Sequence, residues 1–164
     1  MKKVSKGLAV VILGVAITVL TVFAGVYLIN EYKYTNEEFI QMLDETEGFA
    51  DGMYEQAESY QLISNLSQSK SNLLAITPQV ESISDNYYEK VKKVREDNGA
   101  KLTEEQKEAL KDLEYSSYEL SESMSMLHKG LSTNNSDLIY EAGEKFEDSK
   151  SYLKKSLKFF EEEL

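Results

Sequence analysis

Histidine is the side chain best suited to act as a base near neutral pH, and this chain has one, His128. It stands between Leu127 and Lys129 in a leucine-rich stretch, with Met124 rather than a glutamate four residues earlier. Three residues earlier is Ser125, so the Glu-x-x-His pair that di-iron bundles take from two of their helices is missing. There is no cysteine, which removes disulfides, thiolate metal sites and thiol nucleophiles together. No calcium-loop, zinc-ligand or phosphate-loop spacing occurs. The many carboxylates, Glu161 to Glu163 among them, fall mostly off the apolar stripes and read as a solvated face. The expectation is therefore no catalytic, cofactor-binding or metal-ligating residues, no small-molecule substrate, and no enzyme.

Tyrosine is the one unusual enrichment, with eleven in the chain. Tyr54, Tyr60, Tyr87, Tyr88, Tyr115, Tyr118, Tyr140 and Tyr152 are spread across every helix expected below. Some must enter the core, where a phenol needs a hydrogen-bond partner. Adjacent Tyr87 and Tyr88, and nearby Tyr115 and Tyr118, cannot all face one interior. Exposed tyrosine is a favoured protein-contact residue, so Tyr87, Tyr88, Tyr115 and Tyr118 are the candidate partner contacts. The plainer reading places them as amphipathic residues at the core boundary.

The elements that must position these residues are helical. One proline and eight glycines leave few breakers. Phe39, Leu43, Thr46, Ala50, Met53, Ala57 and Tyr60 alternate in steps of four and three, the coiled-coil period. That spacing predicts a long helix over about 36–75, with a possible break at 67–72. Thr77 and Pro78 read as an N-cap and first helical residue, opening a short helix over about 78–97 with Val80, Ile83, Tyr87, Val91 and Val94 inward. Asp97-Asn98-Gly99 is a turn. Thr103 with Gln106 has the form of a capping box, and opens a helix over about 103–131 carrying Leu110, Leu113, Ser117, Leu120, Met124, Leu127 and Leu131. A last helix over about 136–163 carries Ile139, Ala142, Phe146, Ser149, Leu153, Leu157 and Phe160. The fold class expected is all-α, an antiparallel bundle of four helices in up-down order.

Ahead of the bundle, residues 8–29 carry no charge. The run of roughly 22 residues would span about 33 Å as a helix, against a hydrocarbon core of about 30 Å. Lys2, Lys3 and Lys6 precede it, and every acidic residue follows it. Positive charge resists translocation, so residues 1–7 are expected in the cytoplasm, 8–29 as a signal-anchor transmembrane helix, and 30–164 outside. The alternative is a signal peptide cleaved after Ala24, which would make the domain secreted. Gly14, Thr18, Thr21 and Gly25 fall on one face of the span and could pack against another transmembrane helix.

Without the three leading lysines, 15 basic residues meet 29 acidic ones, a net of −14. Such a surface repels nucleic acid and anionic lipid headgroups. Lysine outnumbers arginine 17 to one, a bias associated with AT-rich, low-GC Gram-positive genomes. The sequence thus reads as a membrane-anchored extracytoplasmic interaction module of a bacterial cell envelope, with a protein partner or self-association. The alternatives are an exclusion or immunity protein of a phage or mobile element, a sensory ectodomain needing a membrane partner, and a structural spacer.

Overall fold

The computed structural model describes residues 32–66 and 69–163; the apolar run 8–29 and its face of Gly14, Thr18, Thr21 and Gly25 lie outside them. Among the described residues the chain is all-helical, with no strand. No helix there is long and apolar enough to cross a membrane. Five helices appear where four were expected: α1 (Asn36–Glu45), α2 (Phe49–Leu66), α3 (Lys70–Asn98), α4 (Glu104–Thr133) and α5 (Ser136–Glu163).

The first difference is a break inside the expected helix 36–75. Thr35 starts α1 with a reciprocal cap: its Oγ1 accepts from the Glu38 amide at 3.2 Å, and its own amide donates to the Glu38 carboxylate at 2.9 Å. The helix stops at Thr46 because Gly48 turns left-handed, at φ +66°, a conformation that costs glycine nothing. Lys90 of α3 holds the turn by donating to the Gly48 carbonyl at 2.8 Å. Leaving the helix for three residues resets its phase. Ala50 and Ala57, expected inside, are exposed, Phe49, Gln56 and Ile63 turn inward, and Tyr60 is buried as expected. Gly52 also serves packing, since a Cβ there would lie 2.6 Å from the Tyr87 ring.

The second difference lies at Thr77 and Pro78, which do not start a helix. Helix α3 begins at Lys70, and Pro78 sits inside it. An interior proline forfeits one backbone bond and costs about 3 kcal/mol. Tertiary packing overrides that cost. Leu73, Thr77, Val80, Ser84, Tyr87, Val91 and Val94 form one unbroken buried row, in steps of four and three, that runs past the proline. Thr77, expected as a cap, is buried: its hydroxyl donates to the Leu73 carbonyl at 2.9 Å and lies 3.1 Å from His128 Nδ1 on α4. The expected short helix is therefore 29 residues long, and the long one is divided.

Cross-helix bonds fix the directions. Thr77 meets His128, Asp85 meets Ser121 and Arg95 meets Glu114, so α3 and α4 run antiparallel. Ser123 meets Ala142, Ser116 meets Ser149 and Ala109 meets Ser156, so α4 and α5 do as well. Phe39 of α1 packs on Phe159 and Phe160, which joins the first helix to the end of the last.

Helix α4 is the central strut. The Thr103–Gln106 capping box opens it, and Asn134 closes it in the left-handed conformation. Leu110, Leu113, Leu120 and Met124 are fully buried, each contributing about 1.5–3 kcal/mol of transfer free energy. A second stripe on α4, Ala109, Ser116, Ser123 and Gly130, repeats every seven residues and faces Ala142, Ser149 and Ser156 of α5 at the same period. Small side chains at that repeat let the two backbones approach closely. Three serine hydroxyls then donate across the gap to carbonyls: Ser123 to Ala142 at 2.7 Å, Ser149 to Ser116 at 2.6 Å and Ser156 to Ala109 at 2.9 Å.

The core has two apolar clusters. One gathers Phe39, Phe49, Tyr87, Val91, Leu110 and Phe160, and the other Tyr60, Ile63, Val80, Leu120, Met124 and Leu131. Between them runs a buried chain of hydrogen bonds. Gln56 donates to Ser116 Oγ at 3.3 Å, Ser116 Oγ and Tyr60 OH pair at 2.8 Å, and Tyr60 OH pairs with Ser149 Oγ. Ser149 then donates to the Ser116 carbonyl, so each hydroxyl has a partner. Burial raises the Tyr60 phenol above its ordinary pKa, and bonds from Ser116, Ser149 and Gln56 pull the other way.

Candidate interaction face

Because α4 is packed on both flanks, it reaches solvent along a narrow strip. Tyr115 and Tyr118 stand on that strip, three residues apart and so neighbours on one helix face. They are 43% and 44% exposed. Each pairs with a tyrosine from an adjoining helix. Tyr118 meets Tyr88 of α3 at 5.9 Å between centroids and 51° between planes; Tyr115 meets Tyr152 of α5 at 5.4 Å and 47°. Tilted pairs of this kind contribute about 0.5–1.5 kcal/mol beyond the area they bury.

A lysine ammonium lies over every one of the four rings. Lys155 is 4.8 Å from the Tyr152 centroid, Lys92 5.5 Å from Tyr88, Lys111 5.8 Å from Tyr115 and Lys145 6.0 Å from Tyr118. Two of these lysines are also ion-paired, Lys145 with Glu119 at 2.7 Å and Lys111 with Glu108 at 3.4 Å. The Glu119 bond holds the Lys145 ammonium above its ordinary pKa. Among the described residues, Lys92 and Lys155 form no ion pair.

The frame beneath the face is braced. Arg95 donates to Glu114 at 2.7 Å on one side of the Tyr88–Tyr118 pair, and Ser121 donates to Asp85 on the other. These bonds hold α3 against α4, so the rings keep their spacing without a ligand. Asp112 belongs to the same region, and burial pushes its carboxyl above the ordinary carboxylate range while Lys155 opposes the shift.

Of the four tyrosines singled out in the sequence, three share this face and one does not. Tyr87 is 2% exposed, packed on Phe49 and Gly52 inside the bundle, and cannot touch a partner. Its place on the buried row of α3, where the helical spacing also put it, explains this, and the close approach of α2 at Gly52 covers the ring. Tyr152 and the four lysines belong to the face and were not singled out. For Tyr152 and Lys155 the signal was their position beside Ser149 and Ser156, the α5 residues that face α4. Tyr54 and Tyr140 are more exposed, at 64% and 69%, but neither joins this array.

Elsewhere, a groove of about 650 Å³ between α2 and α5 is lined by Tyr60, Leu153 and Leu157 with Glu147, Lys150 and Lys154. Glu147 and Lys150 on its rim form an exposed ion pair at 3.0 Å. Comparison with known proteins returns no matching family model, no matching curated protein and no matching solved structure. The functional reading therefore rests on the sequence and on this geometry.

Proposed function

We propose that the chain is a membrane-anchored extracytoplasmic helical protein of the bacterial cell envelope that works by binding another protein through the tyrosine–lysine face. The four-tyrosine array carries the reading. Aromatic rings half in solvent, preset in pairs by three rigid helices, offer large contact area at little cost in conformational entropy. The anchor rests on the charge-free run 8–29 behind Lys2, Lys3 and Lys6. Self-association through Gly14, Thr18, Thr21 and Gly25 is a second contact available to such an anchor.

The spacer reading is less well served, since the longest expected strut is divided at Gly48. Chemical cross-linking on intact cells tests the proposal. Alanine at Tyr115 and Tyr118 abolishes a specific cross-linked protein if the face binds. If the same cross-links persist, the binding reading fails. A spacer would ignore those side chains and respond to changes in length.

A further inference from the structure

We infer that the tyrosine–lysine face takes a short acidic segment of its partner protein, one that carries two carboxylates flanking an apolar or aromatic residue. The inference rests on the interaction reading above and names the chemistry of the partner.

The face is rich in hydrogen-bond donors within a domain that is otherwise acidic. Among the described residues, none of the hydroxyls of Tyr88, Tyr115, Tyr118 and Tyr152 meets a protein partner. A phenol donates readily to a carboxylate, and an ammonium only donates. Lys92 and Lys155 form no direct ion pair among the described residues, one on α3 and the other on α5, with the rings of α4 between them. Several acids nearby are already engaged: Glu119 and Glu108 bind Lys145 and Lys111, Glu114 binds Arg95, and Asp85 accepts from Ser121, while Glu122 also acts on Lys145 and Glu96 on Arg95. Asp112 is half-buried beside Lys155.

The net charge of −14 beyond the leading lysines repels an acidic partner at long range. Physiological salt screens charges more than about 8 Å apart, so at contact the nearby ammoniums decide. Neighbouring helix axes lie about 8–10 Å apart, which puts Lys92 and Lys155 roughly 15–20 Å from each other. Five or six extended residues at about 3.3 Å each bridge that distance. The segment's end carboxylates then reach the two lysines while its middle lies on the tyrosine pairs.

Three fluorescent octapeptides test the assignment against the full chain in nanodiscs of zwitterionic lipid, at physiological salt. Each has two central phenylalanines, flanked by glutamates in the first, glutamines in the second and lysines in the third. Anisotropy is expected to show binding of the glutamate peptide at least tenfold tighter than the other two. Lys92→Glu with Lys155→Glu weakens it about tenfold or more, whereas arginine at both positions preserves it. Unchanged thermal melts of these surface variants show that the fold is intact.

Equal binding of the glutamate and glutamine peptides overturns the inference. So does no binding by any peptide, indifference to the double charge reversal, or capture of phosphatidylglycerol vesicles in place of the peptide. If the peptides fail while alanine at Tyr115 and Tyr118 still abolishes the cellular cross-link, the face binds a partner of different chemistry. If that cross-link also persists, the interaction reading itself falls.

Discussion

Two buried tyrosines should respond in opposite directions when the same atom is removed. Tyr60→Phe takes away a hydroxyl bonded to Ser116 at 2.8 Å and to Ser149. Two buried bonds at about 1 kcal/mol each, with the Ser116 hydroxyl left to find another acceptor, give a loss of about 1.5–3 kcal/mol. For a unit of this size that lowers Tm by roughly 5–12 °C. Tyr87→Phe removes a hydroxyl that is buried and has no partner. Its desolvation cost disappears and no bond is lost, so stability is unchanged or rises by about 1 kcal/mol. Burial also raises the Tyr87 phenol well above its ordinary pKa, so the folded chain keeps a proton that the unfolded chain releases near pH 10. Stability then falls as pH rises beyond about 10, and the phenylalanine variant escapes that part of the fall. Urea unfolding followed by circular dichroism, at pH 7 and at pH 10.5, measures both effects. A neutral Tyr60→Phe would refute the hydrogen-bonded chain between the two clusters. A loss above about 1 kcal/mol from Tyr87→Phe would show that its hydroxyl has a partner.

Two glycines of the α4–α5 hairpin should likewise diverge. A Cβ on Gly130 would lie 2.8 Å from the Ile139 side chain and 3.1 Å from its amide nitrogen, so Gly130→Ala destabilises by about 1–3 kcal/mol in thermal melts, despite alanine's helix propensity. Gly143 has open space around it, and Gly143→Ala should gain up to about 1 kcal/mol by the same measurement. The folded chain holds the Asp112 proton more tightly than the unfolded chain, so stability rises as pH falls through that raised pKa. Asp112→Asn therefore raises Tm at pH 7 by a small, solvent-screened amount, and the gain vanishes near pH 3 in a pH series of melts.

The helical character was legible because apolar residues recur in steps of three and four along the chain. The α4 and α5 stripes were readable because leucine and phenylalanine mark them. What escaped was decided by small or conformationally special residues. Gly48 shifts the phase of α2 by adopting a left-handed turn, which a periodicity count passes over. Pro78 carries a strong local signal for a helix start, yet the buried row from Leu73 to Val94 carries the helix through it. Ser149 stood on the expected inward row, but Ser123 and Ser156 read as polar residues until their hydroxyls find carbonyls on the facing helix. Tyrosine had to be divided between core and surface, and residue type alone cannot divide it. Tyr87 and Tyr88 are neighbours in sequence and lie on opposite sides of that boundary because Gly52 admits the Tyr87 ring.

Site-specific photo-cross-linking in living cells tests the central claim most directly. A photoreactive phenylalanine replaces Tyr118 on the proposed face, or Tyr54, which is exposed on α2 and outside the array. The account predicts one dominant protein adduct from position 118, lost when Lys92 and Lys155 are changed to glutamate, and none from position 54. Adducts of equal yield from both positions, or none from position 118, would contradict it.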